Sequence, residues 1–530
     1  MYFLYLFTLY FKVLLNINYK KNKIMLQLFV YRFLGIFILS FIFQGLFWNE
    51  EVSLNLLIFS SLLSILSIIL EIESWKNKTI IVVAIGTFTA LISTVLHYST
   101  ISFIAFYISA LIGIGLLLES RTKLLFFAFL SGISKPFFII GVELEKFLLP
   151  ETNTKKEEEV NSEYYFFKRI KLFLLPLVIF SVFFILFKWG NHVFNKITDD
   201  IGYYFLTIFN YISFQKIPCM LLGAGISCII LLRIKNDYWL KREGEQEEKL
   251  YRERKKTNMI QYTTLSLKNE YWIGIITLIM VNSLCIFINT IDIFWLWINF
   301  DAKNIQDFAK MVHDGTYILI FTILLSMGVL IYFFRGNLNF IPKNKLLLQL
   351  AYLWLLQNVF MALSVGLRTW YYIHERGLAY KRIGVLIFLV LTLFGIFSLY
   401  IKIKQQKTFY FLWNVNIKSV YLMLIFMSWI DWESWIVSHN INYTKNYQDF
   451  DMEFLITRSD KTLSILQENW NKIPKNIQTK YFYYQETGYN IATNYEEYLK
   501  ARVKKFKEKK QKQTWRSWNY AEYQAYELLK

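Results

Sequence analysis

Long apolar runs alternate with short charged joints from about Leu26 to Trp429. A helix that spans a bilayer needs roughly 20 mostly apolar residues, because the hydrocarbon core is about 30 Å thick. The runs lack the period-two alternation of a barrel strand, which needs only about 10 residues. The pattern therefore predicts an all-α fold, a polytopic transmembrane helical bundle of about 11 spans (range roughly 10–13) with a helical C-terminal tail. The predicted spans are Leu28–Trp48, Val52–Leu70, Thr79–Leu96, Ile101–Leu118, Leu172–Phe194, Ile217–Ile234, Tyr271–Trp297, Tyr317–Phe334, Leu346–Tyr372, Ile383–Ile403 and Phe409–Ile430.

Joints and composition shifts divide the chain further. Residues 1–25 are an uncertain leader or a mis-assigned start, because Met25 follows a lysine-rich stretch; an extra amino-terminal span is the alternative. The remaining segments are N-terminal transmembrane helices plus an interfacial segment (26–140), a charged cytoplasmic linker (141–171), a transmembrane pair (172–234), a second charged cytoplasmic linker (235–270), C-terminal transmembrane helices (271–430) and a polar, basic helical tail (431–530).

Charged joints also predict the orientation, because lysine and arginine favour the cytoplasmic ends of spans. Lys20 and Lys21 place the N-terminus in the cytoplasm. The apolar segment Leu124–Ile140 is interrupted by Lys135 and Pro136, which make a straight span costly. If this segment crossed, both basic linkers would lie outside, against the positive-inside rule. We therefore predict that it is interfacial or re-entrant, which leaves the tail outside; a crossing segment is the alternative.

Composition narrows the class of protein. The 530 residues carry a net charge of +19, which in a soluble protein would suggest a nucleic-acid partner. Here basic residues at helix ends explain the charge, and the 36 Tyr and 16 Trp suit membrane interfaces. The predicted partner is therefore the lipid bilayer and not nucleic acid. The 3 cysteines form no CxxC or Cys/His cluster, so no metal site and no cofactor is predicted.

The tail carries two helical signals. Apolar positions recur at helical spacing over Ser459–Trp470, with Ser459 as a candidate cap and Pro474 where the helix could stop. A second helix is predicted over Tyr495–Trp518, with a lysine-rich middle. That stretch either contacts anionic lipid or an envelope polymer, or it is an ordinary solvated face. We expect a small helical cap rather than a large independent core.

Polar residues inside apolar runs are the informative ones, because each must find a partner or water. Gln357 and Asn358 lie in the middle of a predicted span. They either join neighbouring helices through hydrogen bonds or line a polar cavity. Arg368 follows on the same predicted helix, where a guanidinium suits phosphate or carboxylate.

Two further groups lie near predicted helix ends. His313 and Asp314 are either helix-start residues or a proton-handling pair, and His374 and Glu375 supply candidate acid–base groups. The zinc motif HExxH is absent, because the fourth residue after His374 is a leucine. The same cluster adds three candidate binding residues for an anionic headgroup or polymer, with an interfacial ion-pair network as the alternative: Tyr372, Lys381 and Arg382.

These segments also carry a family resemblance. The sequences HDGTYILIFTILLS (313–326), FFRGNLNF (333–340), YLWLLQN (352–358), ERGLAYKRIGV (375–385) and TWRSWNYAEYQAYELLK (514–530) resemble a bacterial membrane family called domain of unknown function 4173 (DUF4173), whose close sister is DUF4153. The resemblance covers the C-terminal half well and the N-terminal half by hydropathy alone. It implies a polytopic protein of the bacterial inner membrane, and it implies no activity.

Three functions fit these residues. The first is transport or the handling of lipids or envelope precursors, with the two amides and Arg368 facing a cavity. The second is a membrane-embedded enzyme on a lipid-linked substrate, with the histidines and carboxylates as acid–base groups. The third is a non-catalytic scaffold or sensor. No known catalytic motif occurs, so the sequence favours a membrane protein of unknown function that is not an enzyme, with transport or lipid handling as its most specific form.

Overall fold

Helices dominate the structure. The computed structural model describes residues 21–70, 75, 77–135, 198, 216–231, 238–252, 267–299, 308–342, 344–443, 451–486 and 489–530. The helices before the tail are α1 (Lys21–Phe47), α2 (Leu54–Leu70), α3 (Lys78–His97), α4 (Thr100–Leu118), α5 (Leu125–Lys135), α6 (Ile217–Leu231), α7 (Tyr238–Gly244), α8 (Leu267–Asp292), α9 (Phe308–Phe333), α10 (Lys345–Arg376), α11 (Tyr380–Lys404) and α12 (Phe409–Ser428).

Within the described residues, 8 helices are long and apolar enough to cross a membrane, and the shorter α2, α5 and α6 are apolar as well. Their outer faces are apolar; on α8, for example, Ile276, Met280 and Phe287 are each more than half exposed. Such a surface suits lipid and not water. Helices occupy every predicted span except Leu172–Phe194, which lies outside the described residues. The predicted helical membrane bundle is confirmed, and the protein is a multi-pass membrane protein.

The joints between helices meet in two groups at opposite ends of the bundle. At one end, which we call the basic end, the Glu243 carboxylate accepts hydrogen bonds from the backbone N–H of Leu124 (2.7 Å) and the hydroxyl of Tyr410 (2.6 Å). At the same end the Gln406 amide donates to the carbonyl of Asn339 (3.0 Å). Part of the second predicted linker, residues 238–252, therefore packs on the bundle.

The described part of the predicted interfacial segment is α5, which lies along α4. Gly115 and Gly132 allow this contact: a Cβ at either position would come within 2.1 Å of a carbonyl oxygen of the facing helix. Lys135, at the end of α5, is buried. The rest of the segment lies outside the described residues, so its re-entrant course stays a prediction.

The tail folds against the other end of the bundle, which we call the tail end. Its elements are α13 (Trp432–Tyr443), α14 (Met452–Ile456), α15 (Leu463–Glu468), α16 (Lys475–Gln478), β1 (Tyr481–Glu486), β2 (Tyr489–Asn494), α17 (Tyr495–Lys512) and α18 (Tyr520–Leu529). The two strands form an antiparallel hairpin that the sequence analysis did not predict. The predicted helix over Tyr495–Trp518 ends at Lys512, where the chain turns into a short 3-10 helix.

One hydrophobic cluster joins the tail to the bundle. It combines fully buried tail residues such as Ile436, Leu463 and Phe506 with Ile373 and Leu378 from the end of α10 and the joint after it. Burying apolar area is worth about 25 cal/mol per Å², so a shared cluster holds the tail in a fixed place. Most of the buried residues in this cluster belong to the tail, and the end of α10 and the joint after it complete the cluster.

Candidate functional site

The site begins with the buried face of α8. Buried residues recur along this helix at spacings of three and four, so they form one stripe that faces α10: Ile275, Leu278, Asn282, Cys285, Asn289 and Asp292. Half of this stripe is polar, although the helix lies inside a membrane span. Polar groups at such a depth need partners on neighbouring helices.

α10 supplies those partners. The side-chain amide of Gln357 donates to the Asn282 side-chain oxygen (2.6 Å), and the Asn282 amide donates to the carbonyl of Leu350 (3.2 Å). One step further along, the Asn289 amide donates to the backbone carbonyl of Gln357 (3.3 Å). Gln357 therefore joins two helices, as one of its two predicted roles required. Asn358 is buried and donates to Trp354 of its own helix (2.7 Å).

An ion pair ends this polar stripe. Nη2 of Arg368 donates to Oδ1 of Asp292. The side chain of Asp292 is 5% exposed and that of Arg368 is 17% exposed. Gly315 of α9 borders the pair, because a Cβ there would lie 3.4 Å from Nη1 of Arg368. Arg368 lies eight residues before the end of α10, about 12 Å from the tail end at 1.5 Å per residue.

Several buried polar atoms of the stripe have no hydrogen-bond partner among the described residues. They are Oδ1 of Asn289, Oδ2 of Asp292, Oε1 of Gln357 and Nε of Arg368. The amide nitrogens of Asn289 and Gln357 both donate to oxygen acceptors, so the oxygen is the unpaired atom in each amide. Buried polar atoms without partners are costly, so these four atoms make this region the candidate site.

The backbone changes at the same point. Directly after Asp292, residues Ile293–Ile298 form a π-helix, and the N–H of Asn299 donates to the carbonyl of Phe294 (3.2 Å). π-helical turns are rare and are found frequently at functional sites. The π-helix is anchored to α10 by the indole of Trp297, which donates to the hydroxyl of Ser364 (3.1 Å).

The predicted acid–base residues lie beyond the ion pair, towards the tail end. The side chains of His313 and Asp314 lie outside the described set, and their backbone positions directly precede Gly315. His374 and Glu375 are exposed in the last turn of α10. Gly315, two residues after His313, borders the side chain of Arg368, and His374 lies six residues beyond Arg368 on α10, so the convergence of the two histidines stays a prediction.

The remaining predicted binding residues form the joint after α10. The guanidinium of Arg382 lies 4.3 Å from the ring centre of Tyr372 and donates to the carbonyls of Arg376 (2.8 Å) and Gly377. Lys381 is exposed. Arg382 thus binds the last carbonyls of α10, a normal way to end a helix. This geometry describes helix capping and leaves the predicted binding role untested.

Sequence analysis missed Asp292, Asn282 and Asn289. The signal was present, because a carboxylate in an apolar run is expensive and the three residues share one helical face. Their partner Arg368 was identified, but the sequence does not show which helix lies opposite it.

The fold and this stripe define a helical multi-pass membrane protein with a charged pair inside its spans. The chain belongs to the family Domain of unknown function (DUF4153), whose model matches residues 58–469. The matched family differs from the one that the motifs suggested, so the expected membership of DUF4173 is not confirmed. The matched region ends before the segment 514–530. No curated protein and no solved structure matches the chain.

Proposed function

We propose that the protein binds and moves an anionic, membrane-soluble substrate, a phosphate-bearing lipid or lipid-linked envelope precursor, with Arg368 as the anion-binding group. The ion pair between Arg368 and Asp292 inside the spanning helices carries this proposal. The membrane is the bacterial inner membrane, and the tail end faces outwards, following the basic joints of the opposite end.

The chemistry of arginine supports an anionic substrate. A guanidinium offers a planar fork that matches phosphate with two parallel hydrogen bonds. Arg368 uses Nη2 on Asp292, and its Nε has no partner among the described residues. Asp292 then acts as the resting partner that orients Arg368 and balances its charge when no substrate is present.

The position of the pair supports a substrate that arrives from the membrane. The side chain of Arg368 is 17% exposed, and Trp370, at the same depth on another face of α10, is 61% exposed. Both lie in the half of the bundle near the tail end, where a headgroup would sit. Exposed Trp is typical of that depth.

Lipid movement across vesicles tests the proposal. The full-length protein is reconstituted into phosphatidylcholine vesicles with a trace of phosphatidylglycerol that carries a fluorophore on one acyl chain, and dithionite bleaches the label that reaches the outer leaflet. We expect the protein to expose inner-leaflet label faster than protein-free vesicles do. Arg368→Gln should abolish the gain, and Arg368→Lys should keep only part of it because lysine lacks the fork.

Arg376→Gln is the matched control, since it removes an exposed arginine from the end of the same helix. It should behave as the unmodified protein does. Equal rates for Arg368→Gln and the unmodified protein, or for the unmodified protein and empty vesicles, would contradict the proposal.

A further inference from the structure

The two oxygens of the Asp292 carboxylate have different surroundings. Oδ1 accepts from Arg368, whereas Oδ2 is buried and has no partner among the described residues. Oδ1 of Asn289, one turn earlier on the same face of α8, is also unpaired there. A proton on Oδ2 would therefore have an acceptor within reach at i−3.

The charge on Asp292 depends on Arg368. A buried carboxylate stays ionised next to a guanidinium, because the opposite charge favours the charged form. Without that neighbour, the cost of an isolated buried charge is so large that the group takes up a proton instead.

We propose that Asp292 is a proton-exchange site, so that binding of one negative charge at Arg368 is coupled to uptake of one proton by Asp292. This inference rests on the proposed function, because it needs an anion at Arg368. The ion pair with Oδ1 breaks, the substrate anion forms the new ion pair with Arg368, and a proton from water bonds to the carboxylate. The site is neutral before and after the exchange, so no charge is left unpaired in the membrane.

The surroundings of Asp292 limit which other groups take part. α10 contributes Arg368, and the π-helix Ile293–Ile298 carries no charged residue. α9 contributes His313 and Asp314 next to Gly315, with side chains outside the described set. His374 and Glu375 lie further along α10, beyond Arg368. The competing titratable groups are therefore the two histidines and the carboxylates of Asp314 and Glu375.

The π-helix gives the exchange a structural basis. A π-helical turn joins residues five apart and an α-helical turn joins residues four apart, so the proposal includes a change of the segment after Asp292 from the π to the α register. Arg368, in contrast, lies within the uninterrupted helix α10. A change of register would move Asp292 away from Arg368 without moving α10.

A binding titration tests the coupling. The full-length protein in phosphatidylcholine nanodiscs is titrated with dihexanoyl phosphatidylglycerol between about pH 5 and pH 9, and a pH dye reports protons in weak buffer. This phosphodiester keeps one negative charge throughout the range, so any pH dependence belongs to the protein. Linkage predicts a slope in the pH range where the site is unprotonated without lipid and protonated with lipid bound. In that range the affinity for the lipid falls about tenfold per pH unit, and about one proton is taken up per lipid bound.

Variants assign the proton. Asp292→Asn mimics the protonated state, so it should bind the lipid with affinity that does not change with pH and without proton uptake. Asp292→Glu should keep the pH dependence, which covers the case in which Asp292→Asn does not fold. Arg368→Gln should not bind.

The outcomes separate this inference from the proposed function. Binding without pH dependence and without proton uptake would overturn the exchange and leave anion handling intact. A pH dependence that persists in Asp292→Asn, or that disappears in His313→Gln or His374→Gln, would assign the proton elsewhere and overturn the inference. No binding at any pH by the unmodified protein would overturn the proposed function itself.

Discussion

Gly377 is the residue at which the bundle and the tail interlock. It has φ 79°, and a Cβ there would lie 2.7 Å from Oδ1 of Asn440. The same Asn440 oxygen accepts from the N–H of Leu378 (2.6 Å), and its amide donates back to the Leu378 carbonyl (2.9 Å). The motif ERGLAYKRIGV therefore contains the contact that α13 of the tail uses to hold the end of α10.

We predict that Gly377→Ala destabilises this contact by about 1–3 kcal/mol, because the added Cβ meets both an unfavourable φ and the Asn440 side chain. Protease cleavage of the tail in detergent-solubilised protein measures the effect. Gly384→Ala is the control, since nothing lies within 4 Å of a Cβ there. Equal cleavage rates for the two variants would contradict the role given to Gly377.

Lys461 is the second residue that joins tail and bundle. Its side chain is 1% exposed, and its ammonium group donates to the carbonyl of His97 (2.7 Å) and pairs with Asp431 (2.8 Å) and Glu433 (3.5 Å). Removing the lysine charge leaves the negative charges of the two carboxylates without their buried counter-ion.

Lys461→Met should therefore lower the unfolding free energy by about 3 kcal/mol, at the low end of the usual range because both carboxylates keep some exposure. Thermal unfolding followed by tail fluorescence would report it. Lys475→Met, at an exposed tail position, should stay within about 0.5 kcal/mol. If both substitutions have the same small effect, the cluster does not stabilise the junction.

At the scale of elements, the acidic joint between α1 and α2 binds the C-terminal end of the tail. Glu50 pairs with Arg516 (2.6 Å), Glu51 pairs with Lys509 (2.7 Å), and the Ser53 hydroxyl donates to the carbonyl of Trp518 (2.7 Å). The segment 514–530, which lies outside the matched family region, thus has a structural role in docking.

This joint makes docking sensitive to acid. Burial alone would raise the pKa of Glu50, but hydrogen bonds from Ser517 and Thr514 and the charge of Arg516 outweigh it and lower that pKa. A lowered pKa in the docked state means that the stabilisation is complete above the ordinary Glu pKa of about 4.3 and is lost as pH falls through the lower, docked-state value.

We predict that Glu50→Gln weakens docking by about 1–2 kcal/mol at neutral pH and removes this acid dependence, because a charge-assisted hydrogen bond is lost. Hydrogen exchange of α17 between about pH 2 and pH 6 would measure both effects, after correction for intrinsic rates. Glu496→Gln removes only an exposed pair with Lys500 and should change docking by less than about 0.5 kcal/mol. An unchanged acid dependence in Glu50→Gln would exclude Glu50 as its source.

Elements were predictable from sequence where one physical signal dominates. The length of the apolar runs predicted the spans, because every spanning helix must cover the same thickness of hydrocarbon. The hairpin was missed although Tyr481 and Tyr483 are exposed and Phe482 is buried, a period-two pattern too short to outweigh the helical signals around it. Two features of the site depend on contacts between helices, which no local pattern contains. They are the π-helix after Asp292 and the pairing of Asp292 with Arg368.

At the scale of the whole molecule, the structure groups the joints into the same two sets as the orientation rule does. Joints rich in lysine and arginine meet at the basic end through Glu243, and the joints at Glu50, His97 and Gly377 meet the tail at the other. α6 runs antiparallel to α1, because Gly223 lies beside Phe43 and Leu231 lies beside Gly35. The end of α6 at Leu231 is therefore directed towards the basic end, where the linker that follows it packs. Relative sidedness is thus built into the packing.

The charges of the joints predict which side of the membrane the tail end faces. That side determines from which leaflet a substrate would reach Arg368. We predict that a membrane-impermeant maleimide labels Lys500→Cys and Glu375→Cys in intact cells, but labels Glu247→Cys only after permeabilisation, because basic joints stay in the cytoplasm. All three positions are exposed.

The native cysteines give a low background for this experiment, since Cys219, Cys228 and Cys285 lie within apolar helices. If only Glu247→Cys is labelled in intact cells, the predicted orientation is wrong and the Arg368 pair lies nearer the cytoplasmic leaflet. That result would not contradict the packing of the tail on the bundle. Different labelling of Lys500→Cys and Glu375→Cys would contradict the packing itself, because the tail and the end of α10 share one hydrophobic cluster and must lie on one side of the membrane.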